Sequence, residues 1–234
     1  VQSVPGARLR PGGVPLTHSR PAAPGRPSGL AAERALTHIE ATMNRTSAAR
    51  VFVGITGASG HWYAERLLQE LVRAGAQVTT ALTPAAAKVL RHERGIDAGP
   101  RGERFAAVLP QWLGAETAAG VRAFPPDAVE APPSSGTSLT GGVVICPCSM
   151  GTLARISVGF SSNLVERAAD VAIKERRRLI LVPRETPLSE IHLENMLRLS
   201  RLGAQVLPAM PGFYHAPRTI DDLVEFARRT KLDL

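Results

Sequence analysis

The sequence has few cysteines, few aromatic residues and no long apolar run. Two cysteines in 234 residues cannot build a disulfide scaffold. Cys146 and Cys148 stand one residue apart with no matching Cys/His cluster. They therefore read as small packing residues, and no metal is expected. No apolar stretch approaches the ~18 residues of a membrane-spanning helix, so no membrane partner is expected. Aromatic residues make up 4% of the chain and are absent from residues 1–50.

What is present is a globular balance of 44% hydrophobic and 21% charged residues, with a formal net charge of +8. Such a charge raises a polyanion as partner. Its distribution argues otherwise. Residues 1–50 hold seven of the basic residues against two acids, leaving only a small excess on the rest. Rich in Pro, Gly and Ala, residues 1–47 are expected to be a disordered basic extension. An organelle presequence or a binding arm is the alternative reading. Without aromatics to stack bases, the tail does not point to nucleic acid. Residues 48–234 are expected to form the one folded domain.

From residue 51 short β-rich runs alternate with helical periodicity. Val51–Ile55 reads as a buried strand. Ala64, Leu67, Leu68, Leu71 and Val72 make one apolar helix face, which Gly75 ends. Gln77–Leu82 reads as a strand, and Thr83-Pro84 opens a helix. Residues 95–141 look irregular. Val143–Cys146 is the next strand, followed by a helix from Ser149 and another through Ala168–Ile173. Leu179–Val182, a helix over 189–202 and a short strand at Val206-Leu207 follow. A capping box at Thr219 and Asp222 starts the last helix. Repeated β–α units imply an α/β fold with a parallel sheet and helices on both faces. Ligands then bind where strands end.

Four strand exits or loops carry chemistry. Gly57-Ala58-Ser59-Gly60 follows a strand, and the next helix offers free N–H groups to an anion. The spacing is not the dinucleotide fingerprint. Ser149-Met150-Gly151-Thr152 again follows a strand and reads as a phosphate cradle. Arg184-Glu185 stands between Pro183 and Pro187, pairing a planar cation with a carboxylate able to move a proton. Tyr214 and His215 lie in a Gly- and Pro-bounded loop. The plain alternatives are a simple turn, a surface ion pair and packing residues.

These strings, together with Ala131–Gly136 and Glu166–Arg176, resemble the UbiX-type flavin prenyltransferases over residues 51–231. The resemblance implies a flavodoxin-like, Rossmann-type fold and a cytoplasmic homododecamer. It implies transfer of a dimethylallyl group from dimethylallyl phosphate to reduced FMN, without a metal. The product, prenylated FMN, would serve a UbiD-type decarboxylase. FMN contacts would fall on Gly57, Ala58, Ser59, Thr83, Ser149, Met150, Gly151, Thr152 and Arg184. Prenyl-phosphate contacts would fall on Arg167, Lys174, Glu185 and Tyr214. Glu185, Ser59, Lys174 and Tyr214 would be catalytic, holding the leaving phosphate's charge or moving protons.

The chain departs from the family pattern at His61 and Trp62, where small residues are usual, and at Ala64, where Gly is usual. His61 and Trp62 are expected beside the flavin or prenyl pocket. A family basic residue aligns with Thr230, and the neighbouring Arg229 or Lys231 would replace it. The alternative readings are a non-catalytic FMN-binding partner subunit of a decarboxylase and an enzyme with an altered prenyl donor. Signatures of the related flavin-dependent cysteine decarboxylases are not found.

Overall fold

Strand β1 (Arg50–Ile55) is the centre of the architecture, with every residue after Arg50 buried. The computed structural model describes residues 49–136, 141–213, 216–219 and 221–224. β1 leads into α1 (His61–Arg73), β2 (Gln77–Leu82) and α2 (Pro84–Arg94). Then come α3 (Phe105–Leu113), α4 (Ala115–Ala119) and β3 (Val121–Phe124), and a 3-10 turn at Pro132–Ser134. β4 (Gly142–Cys148), α5 (Met150–Ser157), α6 (Leu164–Lys174), β5 (Arg178–Pro183), α7 (Glu190–Arg201) and β6 (Gln205–Val206) complete the series.

The six strands form one parallel sheet in the order β3-β2-β1-β4-β5-β6. This is the doubly wound, Rossmann-type arrangement expected of a flavodoxin-like α/β chain. Winding reverses between β1 and β4, so a crevice opens beyond their carboxyl ends. Side chains alternate across the sheet. Val51, Val53 and Ile55 join Leu68, Leu90 and Leu109 of α1, α2 and α3 on one face. Phe52, Val143 and Ile145 join Leu153, Val165 and Leu199 of α5, α6 and α7 on the other. Phe52, Leu68, Leu90, Ile145 and Leu153 are fully buried. Each such side chain contributes about 1.5–3 kcal/mol through removal from water.

Helix starts follow local chemistry. Thr83 caps α2 by accepting the Ala86 N–H at 3.3 Å, with Pro84 at the first helical position. Ser149, Asn163 and Ser189 cap α5, α6 and α7 in the same way. Thr219 and Asp222 exchange the two bonds of the expected box, at 2.9 and 3.1 Å.

One expectation is corrected. Residues 95–141 are not irregular throughout: they hold α3, α4 and β3. Helix α3 contains Pro110 and ends at Gly114, which masks its periodicity. Yet Phe105, Leu109, Trp112 and Leu113 bury one face, a pattern visible at i, i+4, i+7 and i+8. β3 is four residues long and sits at the sheet edge, so it has little apolar signal of its own. Tyr214, His215, Arg229, Thr230, Lys231 and the extension over residues 1–47 lie outside the described residues.

Candidate active site

Thr56, the first residue after β1, ties the two central exits together. Its hydroxyl donates to the Pro147 carbonyl at 2.8 Å, and its oxygen accepts the Ser149 N–H at 2.7 Å. Thr56 is fully buried, so these bonds are shielded from water and hold the 57–60 turn against the start of α5. From β5, Arg184 Nε donates to the Ser59 carbonyl at 3.3 Å. Three strand exits therefore converge on Ser59, Ser149 and Arg184. Tyr63 joins them: its hydroxyl titrates high because it is buried near Cys146, an effect the Arg184 charge partly offsets.

The turn has little spare room. A Cβ on Gly57 would lie 2.7 Å from the Ala85 Cβ, so only glycine lets α2 approach this closely. Gly60 has φ 108°, a left-handed conformation that favours glycine. Ala58 is buried beneath the turn and Thr83 is buried at the α2 cap.

Two of the N–H groups at the start of the helix after this turn, expected to be free for an anion, are already taken. Glu93, in the last turn of α2, occupies that position. Its carboxylate accepts the Gly60 N–H at 3.0 Å and the His61 N–H at 2.9 Å. It also accepts a hydrogen bond from the Ser59 side chain. Burial alone would raise the Glu93 pKa. The Ser59, His61 and Gly60 hydrogen bonds outweigh it and hold the carboxyl below its ordinary value. A carboxylate at a helix N-terminus also meets the positive end of the dipole. Nothing local marks Glu93 in the sequence: it stands 32 residues from His61, inside a polar helix end.

The second cradle is open. Ser149 Oγ accepts the Thr152 N–H at 3.3 Å, leaving the first-turn N–H groups of Met150 and Gly151 without an intrahelical acceptor. Thr152 is buried, with its hydroxyl 3.1 Å from Ser149 and 3.3 Å from an Arg155 nitrogen. Arg155 is anchored by Glu166 at 2.6 Å. Glu166 is itself fully buried and also accepts from Ser162 N–H and hydroxyl. Burial raises its pKa, but the Ser162 and Arg155 bonds bring it below the ordinary value. The cysteines beneath are buried and free. Desolvation pushes the Cys146 thiol up to about 12 and Cys148 higher still, so both remain protonated thiols.

His61 and Trp62 turn toward α2. His61 is fully buried, with Nδ1 3.5 Å from Glu93 Oε2. The Trp62 ring is covered by the Arg94 guanidinium, 3.5 Å from the ring centroid. Arg94 is held in turn by Glu65 at 2.8 and 3.0 Å. Adjacent residues of α1 thus grip adjacent residues of α2, and Trp62 stacks on its own chain.

The remaining expected residues stand apart. Glu185 is exposed, and its carboxylate accepts the Thr186 N–H at 3.0 Å, so it is not paired with Arg184. Arg167 is exposed and bonded to Asp170 at 2.8 Å. Lys174 ends α6, pairs with Glu175 at 2.8 Å and lies four residues before β5 begins. It is therefore at the amino-terminal edge of the sheet, whereas Arg184 follows the carboxyl end of the six-residue β5. The length of that strand, about 20 Å, separates the two edges.

A family model described as Flavoprotein matches residues 39–230. The flavin prenyltransferase UbiX of Pseudomonas aeruginosa is 49% identical over 177 residues, spanning 76% of this chain and 84% of that protein. A crystal structure of AnUbiX in complex with FMN and dimethylallyl pyrophosphate superposes with a TM-score of 0.67 at 35% identity, covering 77% of this chain and 88% of that one. The dodecameric FMN-dependent UbiX-like decarboxylase from Escherichia coli O157:H7 gives 0.65 at 40% identity, covering 77% and 91%. Shared sequence over most of both chains, on a shared fold, places this chain in the UbiX flavin prenyltransferase family of flavoproteins.

Proposed function

We propose that the protein is a flavin prenyltransferase, joining the dimethylallyl group of dimethylallyl phosphate to reduced FMN to give prenylated FMN. The carrying observation is the convergence of Ser59, Ser149 and Arg184 at the point where the sheet reverses its winding. The crevice suits a flavin nucleotide. Gly57 and Ala58 present backbone at close range, Met150 and Gly151 present N–H groups, and Arg184 presents a planar cation. Reduced FMN, when bound, supplies a nucleophilic ring nitrogen and an electron-rich ring.

The chain's own groups then have distinct tasks. With Glu93 filling the N-terminus of α1, the open N–H groups of α5 are the ones that receive an anionic oxygen of FMN. Thr83 and Thr152, buried at the starts of α2 and α5, complete the proposed FMN contacts. Ser59 hydrogen-bonds Glu93, so a proton leaving the flavin at the alkylated nitrogen has a path through Ser59 toward that carboxylate. Arg167, Lys174, Tyr214 and the cation at Arg229 hold the charge of the departing phosphate, and Glu185 moves protons on the phosphate and the flavin. Lys174 is a strand length from Ser59 in its own chain. We therefore assign Lys174 at this site to a neighbouring subunit of a homododecamer. His61 and Trp62, which suggested a non-catalytic flavoprotein, engage Glu93 and Arg94 of α2.

In this reading the folded domain begins near residue 48, and the basic extension plays no part in catalysis. A reduced-flavin substrate requires a reducing compartment, and we place the enzyme in the cytoplasm. A UbiD-type decarboxylase is the proposed recipient. Anaerobic incubation with reduced FMN and either dimethylallyl phosphate or its diphosphate, followed by mass analysis of the flavin, tests the proposal. A flavin mass increased by one dimethylallyl group is expected. Unchanged FMN with both substrates bound would overturn it.

A further inference from the structure

His61 is fully buried, and neither ring nitrogen has a hydrogen-bond partner by strict geometry. A buried imidazole without partners is costly, so its surroundings bear on what it does. Nδ1 lies 3.5 Å from Glu93 Oε2, at the outer limit of a hydrogen bond. The other polar group against the ring is the Ala86 carbonyl, also from α2. Arg94 is directed onto Glu65 and Trp62, and Arg184 onto the Ser59 carbonyl. Glu93 is thus the one charged group facing His61 among the described residues. Burial lowers the His61 pKa, and the Glu93 charge only partly restores it, so the ring is neutral near pH 7 and can donate from one nitrogen only.

We propose that His61 is a positioning residue: its imidazole donates from Nδ1 to the Glu93 carboxylate and thereby holds that carboxylate on the Ser59 hydroxyl. The geometry is specific. Glu93 already takes the Gly60 and His61 backbone N–H groups, which fix the carboxylate plane. Beside these and the Ser59 hydroxyl, Nδ1–H adds a fourth donor, on the Oε2 side. The proton of Ser59 then has a single, ionised acceptor. Trp62 secures the same helix end by stacking on Arg94, the residue after Glu93. The inference rests on the prenyltransferase reading for its catalytic consequence, but its structural content does not.

Two measurements test it. Nitrogen-15 NMR of the histidine ring in the FMN-free protein is expected to show the neutral Nδ1–H tautomer, which is the minor form of free histidine. Finding the Nε2–H tautomer would overturn the proposal whether or not the protein transfers a prenyl group. In the transfer assay, His61→Leu retains apolar bulk without a donor, and His61→Asn retains a short donor. His61→Leu is expected to lower kcat about tenfold and move the acid limb of the rate profile to higher pH, because Glu93 then protonates more readily. FMN affinity should change less than about twofold, and His61→Asn should recover most of the loss. Equal losses in the two variants, with an unmoved pH profile, would reduce His61 to a packing residue. If wild-type protein makes no prenylated flavin, the functional reading fails, and the tautomer still decides the contact.

Discussion

Arg184 Nε donates to the Ser59 backbone carbonyl at 3.3 Å, across 125 positions of sequence. The bond joins the exits of β5 and β1 and leaves part of the guanidinium fork for a ligand. Arg184→Lys keeps the charge but loses the planar fork. Its kcat/KM for prenyl transfer is expected to fall about tenfold or more, with the thermal midpoint nearly unchanged. Steady-state kinetics beside a melting curve checks both halves.

Thr56 serves two buried partners, the Pro147 carbonyl and the Ser149 N–H. Thr56→Val preserves shape and strands both. A loss of about 1–3 kcal/mol in denaturant unfolding is expected, with weaker FMN binding, and Thr56→Ser should restore most of it.

Gly57 stands where a Cβ would meet the Ala85 Cβ at 2.7 Å. Gly57→Ala should cost about 1–3 kcal/mol by overpacking and reduce FMN affinity. The second change Ala85→Gly should relieve much of the cost. Failure of that rescue, read in an unfolding titration, would place the strain elsewhere.

Ser59 and Lys174 lie at opposite edges of the sheet. If neighbouring subunits supply Lys174, Ser59→Ala and Lys174→Ala proteins, each inactive alone, should regain prenyl transfer after dissociation and reassembly together. Mixed oligomers that stay inactive would require both residues to act within one chain.

Glu166 is fully buried and bound to Ser162 and Arg155, with its carboxyl held below the ordinary 4.5. A depressed carboxylate pKa stabilises the fold above the unfolded value and loses that stabilisation as pH falls through the folded one. Glu166→Gln is therefore expected to cost about 1–2 kcal/mol at pH 7, with the gap to wild type closing below pH ~4. Unfolding titrations across that range would show the convergence.

The order of β–α units, the helix starts at Thr83 and Ser149, the capping box at Thr219 and the turn at Gly57–Gly60 were legible because each depends on nearest neighbours. Apolar residues at helical spacing mark α1, and a continuous apolar run marks β1. β3 was not legible, because a four-residue edge strand is defined by the β2 strand it joins. Nor was Glu93, whose position in the last turn of a polar helix end is ordinary until α2 is laid against the 57–60 turn. Trp62 carried a visible departure from the family pattern but not its meaning, since the Arg94 that covers it is 32 residues away.

The sequence by itself determined that the chain is a parallel α/β fold with ligand-binding strand exits, because periodicity and turn chemistry are written locally. Tertiary structure decided which helix N-terminus can take an anion. A carboxylate from another helix takes the Gly60 and His61 N–H groups of the first, and a donor already engaged is not available to a ligand. It decided also that Lys174 is remote from Ser59 in its own chain. A helix crossing back over a parallel sheet must end at the edge opposite the strand exits, whatever side chain it carries there.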